Sequence, residues 1–284
     1  MTSILAYKTT LLSRQTLIKF VTAFVQSFGT LAIALGVLDI LFPNTLGLKY
    51  HGLVTFTTAS LVWAVISIHP RFEISRRLLV PDTIIKIKVG DLFKEDADLI
   101  IGMNDTFDTE KGNIIKAKSI QGQFLATVYN DDTSRLNTDL TTALNGISGT
   151  RDSQKSQGKK TRYPIGTVAT LTAGTKKYYC SAYSYMGNDL KAQSDIKKLS
   201  TSLDMLWGEI RLKGQRGKVA MAVLGSDLAR IGTASHSNLI KLIVSSFLLA
   251  SRESPISEQL TIVVYPSNLE KVNMLELNDF LQNF

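Results

Sequence analysis

Residues 20–42, FVTAFVQSFGTLAIALGVLDILF, hold one charge in 23 positions, and nothing else in the chain restricts its fold as tightly. As a helix the run is roughly 34 Å long, enough to cross the hydrocarbon core of a bilayer. A second run, residues 52–69, GLVTFTTASLVWAVISIH, has no formal charge in 18 positions. It would span roughly 27 Å, near the lower limit for a pass. PNTLGLKY between them carries the Pro, Asn and Gly of a tight turn, so the two runs are expected to form a helical hairpin. A secretory signal peptide fits the first run poorly, because it is too long, starts late and lacks a small-residue cleavage site. A buried core hairpin is the bland alternative.

The basic residues sort with these runs. Residues 1–80 carry seven Lys/Arg against Asp39 and Glu73, whereas the remainder carries 25 against 22. Lys8, Arg14 and Lys19 precede the first run, Arg71, Arg76 and Arg77 follow the second, and Lys49 alone lies between. The positive-inside bias then places both ends, and everything after the hairpin, in the cytoplasm. For a bacterial chain that makes a multi-pass inner-membrane protein. No basic stripe marks the remainder as a nucleic-acid binder. Cys180 is the one cysteine, which excludes an intramolecular disulfide and a cysteine zinc site. Gly29, Ala32, Gly36 and Asp39 share a face of the first run, and Thr57, Ser60, Ala64 and Ser67 a face of the second. Small residues permit close helix approach in lipid, so these stripes either close the hairpin on itself or join neighbouring copies in a homo-oligomer.

The expected boundary is at 80/81, within the connector LLVPD. From Thr83 onward strands and helices alternate: TIIKIKV and ADLIIGM as strands, helical segments to about Gly146, RDSQKSQGKK as an exposed loop, disordered or ligand-facing, and TVATLTA and KKYYCSAYSY as strands. An amphipathic helix over 190–213 presents Ile196, Leu199, Leu203, Leu206, Trp207 and Ile210 on one side. Then come the strand KVAMAVL, a helix opening at SHSNLIKLIV, the strand QLTIVVY and a closing helix. Apolar strands alternating with helices predict an α/β fold, a mixed sheet covered on both faces, with ligands at the carboxyl ends of its strands.

Three stretches fall at those ends. VGDLF supplies Asp91 and Leu92, IIGMNDTFDT supplies Asn104, Asp105 and Asp108, and LGSDLARIG supplies Gly225, Ser226, Asp227, Leu228, Ala229, Arg230, Ile231 and Gly232. A carboxylate can accept from an exocyclic amine, and an asparagine amide can donate to and accept from a ribose hydroxyl. A glycine-rich loop before a helix offers N–H groups to phosphate, and Arg230 could add a charged contact. Together they describe a ligand resembling adenosine diphosphate ribose. Each has a plainer role open to it: Asn104 as a turn cap, and the acidic residues as a solvated turn.

In VGDLF, ADLIIGMN, YPIGTVATLTAG and LGSDLARIG the chain resembles the macro domain, an ADP-ribose-binding α/β fold, from about Thr83 to its end. With NDTFDT, SIQGQF and YPIGTV behind two apolar runs, it is more specifically similar to the two-pass, macro-like effector family of type II Thoeris anti-phage defence. The resemblance implies that Asp91 reads the adenine amine, Asn104 the distal ribose, and Gly225 to Gly232 the diphosphate. It also implies a TIR-domain partner that makes a nucleotide signal from NAD, a histidine conjugate of ADP-ribose, and a membrane output that kills or arrests the cell. The usual glycine-rich loop after the asparagine is replaced by DTFDTEKGNIIKAKSIQGQ, so Asp105, Asp108 and Glu110 could contact an amino acid on the distal end. Asp227 stands where macro domains often have glycine. Some macro domains hydrolyse ADP-ribose from proteins or read ADP-ribosylated proteins. Neither a metal nor a cofactor motif is present in this sequence, although Asp105 or Asp108 could activate water. The expectation is a binding effector rather than an enzyme.

Overall fold

A computed structural model describes residues 14–42, 49–69, 72–226, 231 and 234–284. Helices α1 (Arg14–Leu41) and α2 (Lys49–Ser67) pack on each other and belong to one compact unit. The sheet and its covering helices, between Glu73 and Val272, belong to another. Helix α1 contains one stretch, Thr16–Leu41, long and apolar enough to cross a membrane, and the apolar stretch of α2, Gly52–Ser67, is shorter. Their large side chains point outward, with Ile33 and Ile40 at 71% and 80% exposure. The expected turn at 43–48, and the flanking Lys8 and Arg71, lie outside the described residues.

The two small-residue stripes part company. In α2, Ser60 and Ala64 are buried, whereas Thr57 is half-buried and Ser67 exposed. In α1, a Cβ built at Gly29 or Gly36 would meet nothing within 4 Å among the described residues, and Ala32 and Asp39 are exposed. The α1 stripe therefore does not close the hairpin in this structure.

The second unit is a mixed α/β sheet flanked by helices, as the alternation predicts. Its strands are β1 (Glu73–Leu79), β2 (Asp82–Val89), β3 (Asp98–Asn104), β6 (Val168–Ala173), β7 (Lys176–Met186), β9 (Arg216–Ala222) and β10 (Ser257–Val264), in the order β1-β2-β10-β9-β3-β7-β6. Short β8 (Ala192–Gln193) joins β7, and a separate ribbon pairs β4 (Thr150–Arg151) with β5 (Thr161–Arg162). Strands β2, β10, β9, β3 and β7 run parallel, and β1 and β6 pair antiparallel at the two ends. Parallel strands are buried on both faces, which is why LIIGM and LTIVV read as unbroken apolar runs.

Leu99, Ile101 and Met103 of β3 face a core closed by α3 (Ile120–Tyr129) and α4 (Thr133–Ala143), through Phe124, Leu125, Tyr129, Leu136 and Leu140. α5 (Ile196–Lys213) packs on β7 and on α6 (His236–Glu253), with Trp207 Nε1 donating to Ser246 Oγ at 2.8 Å. α7 (Met274–Gln282) ends the chain. Of the six residues expected on the buried side of α5, five are fully buried; Ile196 is 48% exposed, being the first residue after the Asp195 cap.

Two expectations differ from the fold. RDSQKSQGKK is largely ordered surface between β4 and β5, yet its Lys155 is only 1% exposed. The boundary expected at 80/81 falls in the turn between β1 and β2, whose residues pair continuously from Glu73↔Lys88 to Leu79↔Asp82. The signal lay in EISRRLL, where Ile74 and Leu78 share one buried face. A chain beginning at residue 80 strips β2 of this partner and loses those two buried side chains. It should be roughly 3–5 kcal/mol less stable than one beginning at residue 73, read from urea unfolding midpoints; equal midpoints would show that β1 contributes nothing.

Candidate functional site

Three loops leave the sheet at one edge, because β2, β3 and β9 are parallel. Between the ends of β9, β3 and β7 lies a cavity of about 210 Å³. Gly102 and Asn104 line it from β3, Gly225 and Ser226 from beyond β9, and Tyr183, Ser184 and Met186 from β7. Ile114, Ile115 and Gln121 close it on one side and Leu190, Lys191 and Ala192 on another. Gly102 is obligatory: a Cβ there would stand 2.6 Å from Leu224 Cδ2 and 2.7 Å from Tyr183 Cε1, both side chains of the lining. Gly225 has φ +76°, a left-handed conformation that suits glycine, and Ile231 N–H donates to its carbonyl at 3.3 Å, pinching the loop shut.

Asn104 is re-aimed by a bulge. Met103 pairs with Ala182 but Asn104 with Ser184, so β7 contributes one extra residue and the register shifts at the cavity rim. The next turn is buried rather than solvated. Asp105 accepts from Met186 N–H at 3.0 Å and from Arg162 Nη1 at 2.7 Å. Arg162 also donates to Asp152 at 2.7 Å and to the Met186 carbonyl at 2.9 Å, and lies 4.0 Å over the Tyr185 ring. The Arg162 bond holds the Asp152 carboxyl below its ordinary range. Asp108, 1% exposed, pairs with Lys155 at 2.9 Å and accepts from Lys159 N–H at 2.6 Å.

Asn104, Gly225 and Ser226 thus come together around the cavity, with Ser226 Oγ donating to the Val223 carbonyl at 2.7 Å. Ile231 is buried beside Gly225, while Asp227, Leu228, Ala229, Arg230 and Gly232 lie outside the described residues. Asp91 and Leu92 are not in the cavity wall. They follow β2, separated from β3 by β10 and β9, a distance of about 14 Å at the spacing of paired strands. Leu92 is core, and Asp91 caps a single 3₁₀ turn (Leu92–Lys94) through Phe93 N–H at 3.0 Å. Its second carboxylate oxygen has no partner among the described residues. The carboxylates of Asp105 and Asp108 turn inward onto protein partners. Sequence reasoning did not single out Arg162 or Lys155: each meets its carboxylate across 57 or 47 residues, with no local motif to mark it.

Two outcomes follow from this geometry. Asp91→Ala should cost on the order of 1–3 kcal/mol of affinity for an adenine nucleotide if the unpaired oxygen meets the ligand; calorimetry giving unchanged affinity would make Asp91 a helix cap only. Lys159 is a second case. Burial lowers its pKa from 10.5 to about 8, opposed by the Asp108 charge. Below pH 8 it is charged in both states and folding bears the full desolvation cost. Above that, the unfolded chain holds the proton that the folded chain has lost, so stability should rise from about pH 8 toward 10.5. Lys159→Met should flatten that rise in urea titrations; an unchanged slope would assign it to other groups.

The family model described as Thoeris protein ThsA, Macro domain, matches residues 85–265. A Thoeris protein ThsA of Bacillus amyloliquefaciens (strain Y2) is 23% identical over 206 residues, covering 70% of this chain and 68% of that protein. The Oceanobacillus iheyensis macrodomain solved with ADP superposes with a TM-score of 0.51 at 11% identity, over 75% of this chain and 100% of that one. With a matching model across most of the sheet unit and a macrodomain architecture beneath it, the chain belongs to the Thoeris ThsA macro-domain family.

Proposed function

We propose that this chain is the membrane effector of a Thoeris-type anti-phage defence. Its macro domain binds an ADP-ribose derivative, a histidine conjugate on the resemblance noted above, made by a TIR-domain partner. Binding then drives copies to assemble through their apolar helices and breach the inner membrane. One observation carries the reading: a chain of this family joins a cleft at the carboxyl edge of its sheet to a helix long and apolar enough to cross a membrane. The nucleotide class draws further support from the neighbour solved with ADP.

The role of each segment follows from its chemistry. The positive-φ loop at Gly225 brings main-chain N–H groups near a diphosphate, Asp91 stands at the base end, and Asn104 stands at the opposite end. The proposal gives Asp105 and Asp108 the task of shaping the distal wall, and leaves the loop residues Asp227 to Arg230 and Gly232 as phosphate contacts. We favour binding over turnover because both inward-facing carboxylates are committed to protein partners. No group of three or more potential metal ligands converges among the described residues.

Few residues in sequence separate the apolar helices from the ligand edge of the sheet. Because β1 runs antiparallel to β2, its first residue, Glu73, pairs with Lys88 at the ligand edge of the sheet, six residues after α2 ends at Ser67. Lys86 binds Glu73 at 2.9 Å, and Lys88 binds Glu95 at 2.9 Å, just beyond the Asp91 turn. Ligand gating requires different affinities for two arrangements, and these strand-end contacts are where the difference would be felt.

The test uses the full chain in anionic liposomes loaded with dye, with histidine–ADP-ribose added outside in inside-out orientation. Release should require the ligand. Gly36→Leu should abolish release and ligand-dependent cross-linking while leaving affinity within about twofold, since a Cβ at Gly29 or Gly36 meets nothing within 4 Å among the described residues. Ligand-independent release, or conversion of the nucleotide to product at catalytic rates, would overturn the effector reading.

A further inference from the structure

Asn104 is held in one orientation. Its Oδ1 accepts from the main-chain N–H groups of Thr106 at 3.2 Å and Asp108 at 3.1 Å, which uses both lone pairs. Turned over, the amide would set its own hydrogens against those two donors. The Thr106 hydroxyl has a single hydrogen; it lies 3.1 Å from Oδ1 and 2.5 Å from Asp108 Oδ2, and the charged acceptor takes it. Asn104 Nδ2 donates one hydrogen to the same Asp108 Oδ2 at 3.2 Å. One N–H is left, on a residue that lines the cavity. Toward a ligand, Asn104 is therefore a donor only.

Asp108 is the anchor of this arrangement, and Lys155 is what lets a carboxylate sit there. The pair is 1% exposed on both sides. Lys155 Nζ meets both carboxylate oxygens, at 3.2 and 2.9 Å, and donates to the Gln157 carbonyl at 2.7 Å. A second amide of the cavity wall, Gln121, donates to the Asp108 main-chain carbonyl. Neither Asp108 nor Lys155 lines the cavity itself, so both act through other residues.

We infer that Asp108 and Lys155 are a positioning pair that locks Asn104 as a hydrogen-bond donor, and thereby makes the domain read an oxygen acceptor on the part of the ligand beyond the diphosphate. The strand order places that contact. Asn104 on β3 lies on the side of the β9 loop away from Asp91, which follows β2, so it meets the end of the ligand opposite the base. The inference rests on the ADP-ribose class proposed above.

The experiment compares two ligands on the full chain in detergent micelles by calorimetry: ADP-ribose, which has a group beyond the diphosphate, and ADP, which lacks one. Lys155→Met keeps the length of the stem and removes the charge; Lys155→Arg keeps the charge. Lys155→Met should lose about tenfold in affinity for ADP-ribose, the effect of one misdirected hydrogen bond, while ADP affinity stays within about twofold. Lys155→Arg should recover part of the loss. Equal losses on both ligands, or none on either, would overturn the inference and leave the pair purely structural. Should Lys155→Met not fold, Thr106→Val leaves the ion pair in place and removes the hydroxyl between Asn104 and Asp108. It should lower the ADP-ribose to ADP affinity ratio in the same direction, and an unchanged ratio would again overturn the inference. If the unmutated chain binds neither ligand, the ADP-ribose reading fails and this inference falls with it.

Discussion

Five strands run the same way through the centre of this domain, and the site follows from that constraint. Parallel pairing sends the chain off the sheet at one edge after β2, β3 and β9, so Asp91 and Asn104 share an edge of the sheet with Gly225, which lies more than a hundred residues further along the chain. It also demands strands apolar on both faces, because helices must cover each side. Leu99 and Ile101 face α3 and α4 while Ile100 between them points to the opposite side, and all three are buried. The rim is polar only where these strands end. A single-residue bulge between β3 and β7, with Tyr183 as the extra residue, then shifts the register so that Asn104 pairs with Ser184 at the cavity wall.

The turn after β3 is held by charged groups that reach it from other segments. Arg162 ties Asp105, Asp152 and the end of β7 together, and remains partly open, with its guanidinium stacked on Tyr185. A planar five-donor cation suits that work, since it can serve three acceptors and a ring face at once. Lys155 works differently, as a compact ammonium enclosed by one carboxylate and one carbonyl. Gly158 shows how tightly that enclosure is built: with φ +74°, a Cβ there would stand 2.3 Å from Asp108 Oδ1 and 2.8 Å from Lys155 Nζ. The loop that reads as polar surface is thus clamped from below by its least surface-like residue.

What could be read from the sequence divides along the range of the interactions. Local patterns gave away β3, β7, α5 and α6, because period and apolar run length are written within a dozen residues. Asn104 and Gly225 were legible for the same reason: Asn104 closes β3, and Gly225 follows the end of β9 in a backbone region that few other residues tolerate. β1 was missed because EISRRLL is charged on its open face and short, and its two buried residues gain meaning only once β2 lies alongside. Asp105 and Asp108 carried the right chemistry in the right place but the wrong direction. Whether a carboxylate faces ligand or protein depends on whether a cation reaches it from behind, and the cations that do are 57 and 47 residues away.

A buried ion pair is a poor way to gain stability. Moving two charges out of water costs about as much as their attraction returns, and apolar residues of similar volume often serve as well or better. What such a pair supplies, and an apolar contact cannot, is direction. The Asp108 carboxylate receives four donors: the Lys155 ammonium, which meets both oxygens, the Thr106 hydroxyl, the Asn104 amide and the Lys159 main-chain N–H. An apolar side chain at 108 would fill the same space and leave the Asn104 amide without its anchor, with the Thr106 hydroxyl and Lys159 N–H orphaned beside it. A neutral acceptor would satisfy fewer of these donors and need no lysine, so the loop 151–160 would lose its reason to fold over the turn. The arrangement thus does two things at once: it folds the loop 151–160 over the turn and fixes the side chain of Asn104, a residue of the cavity wall.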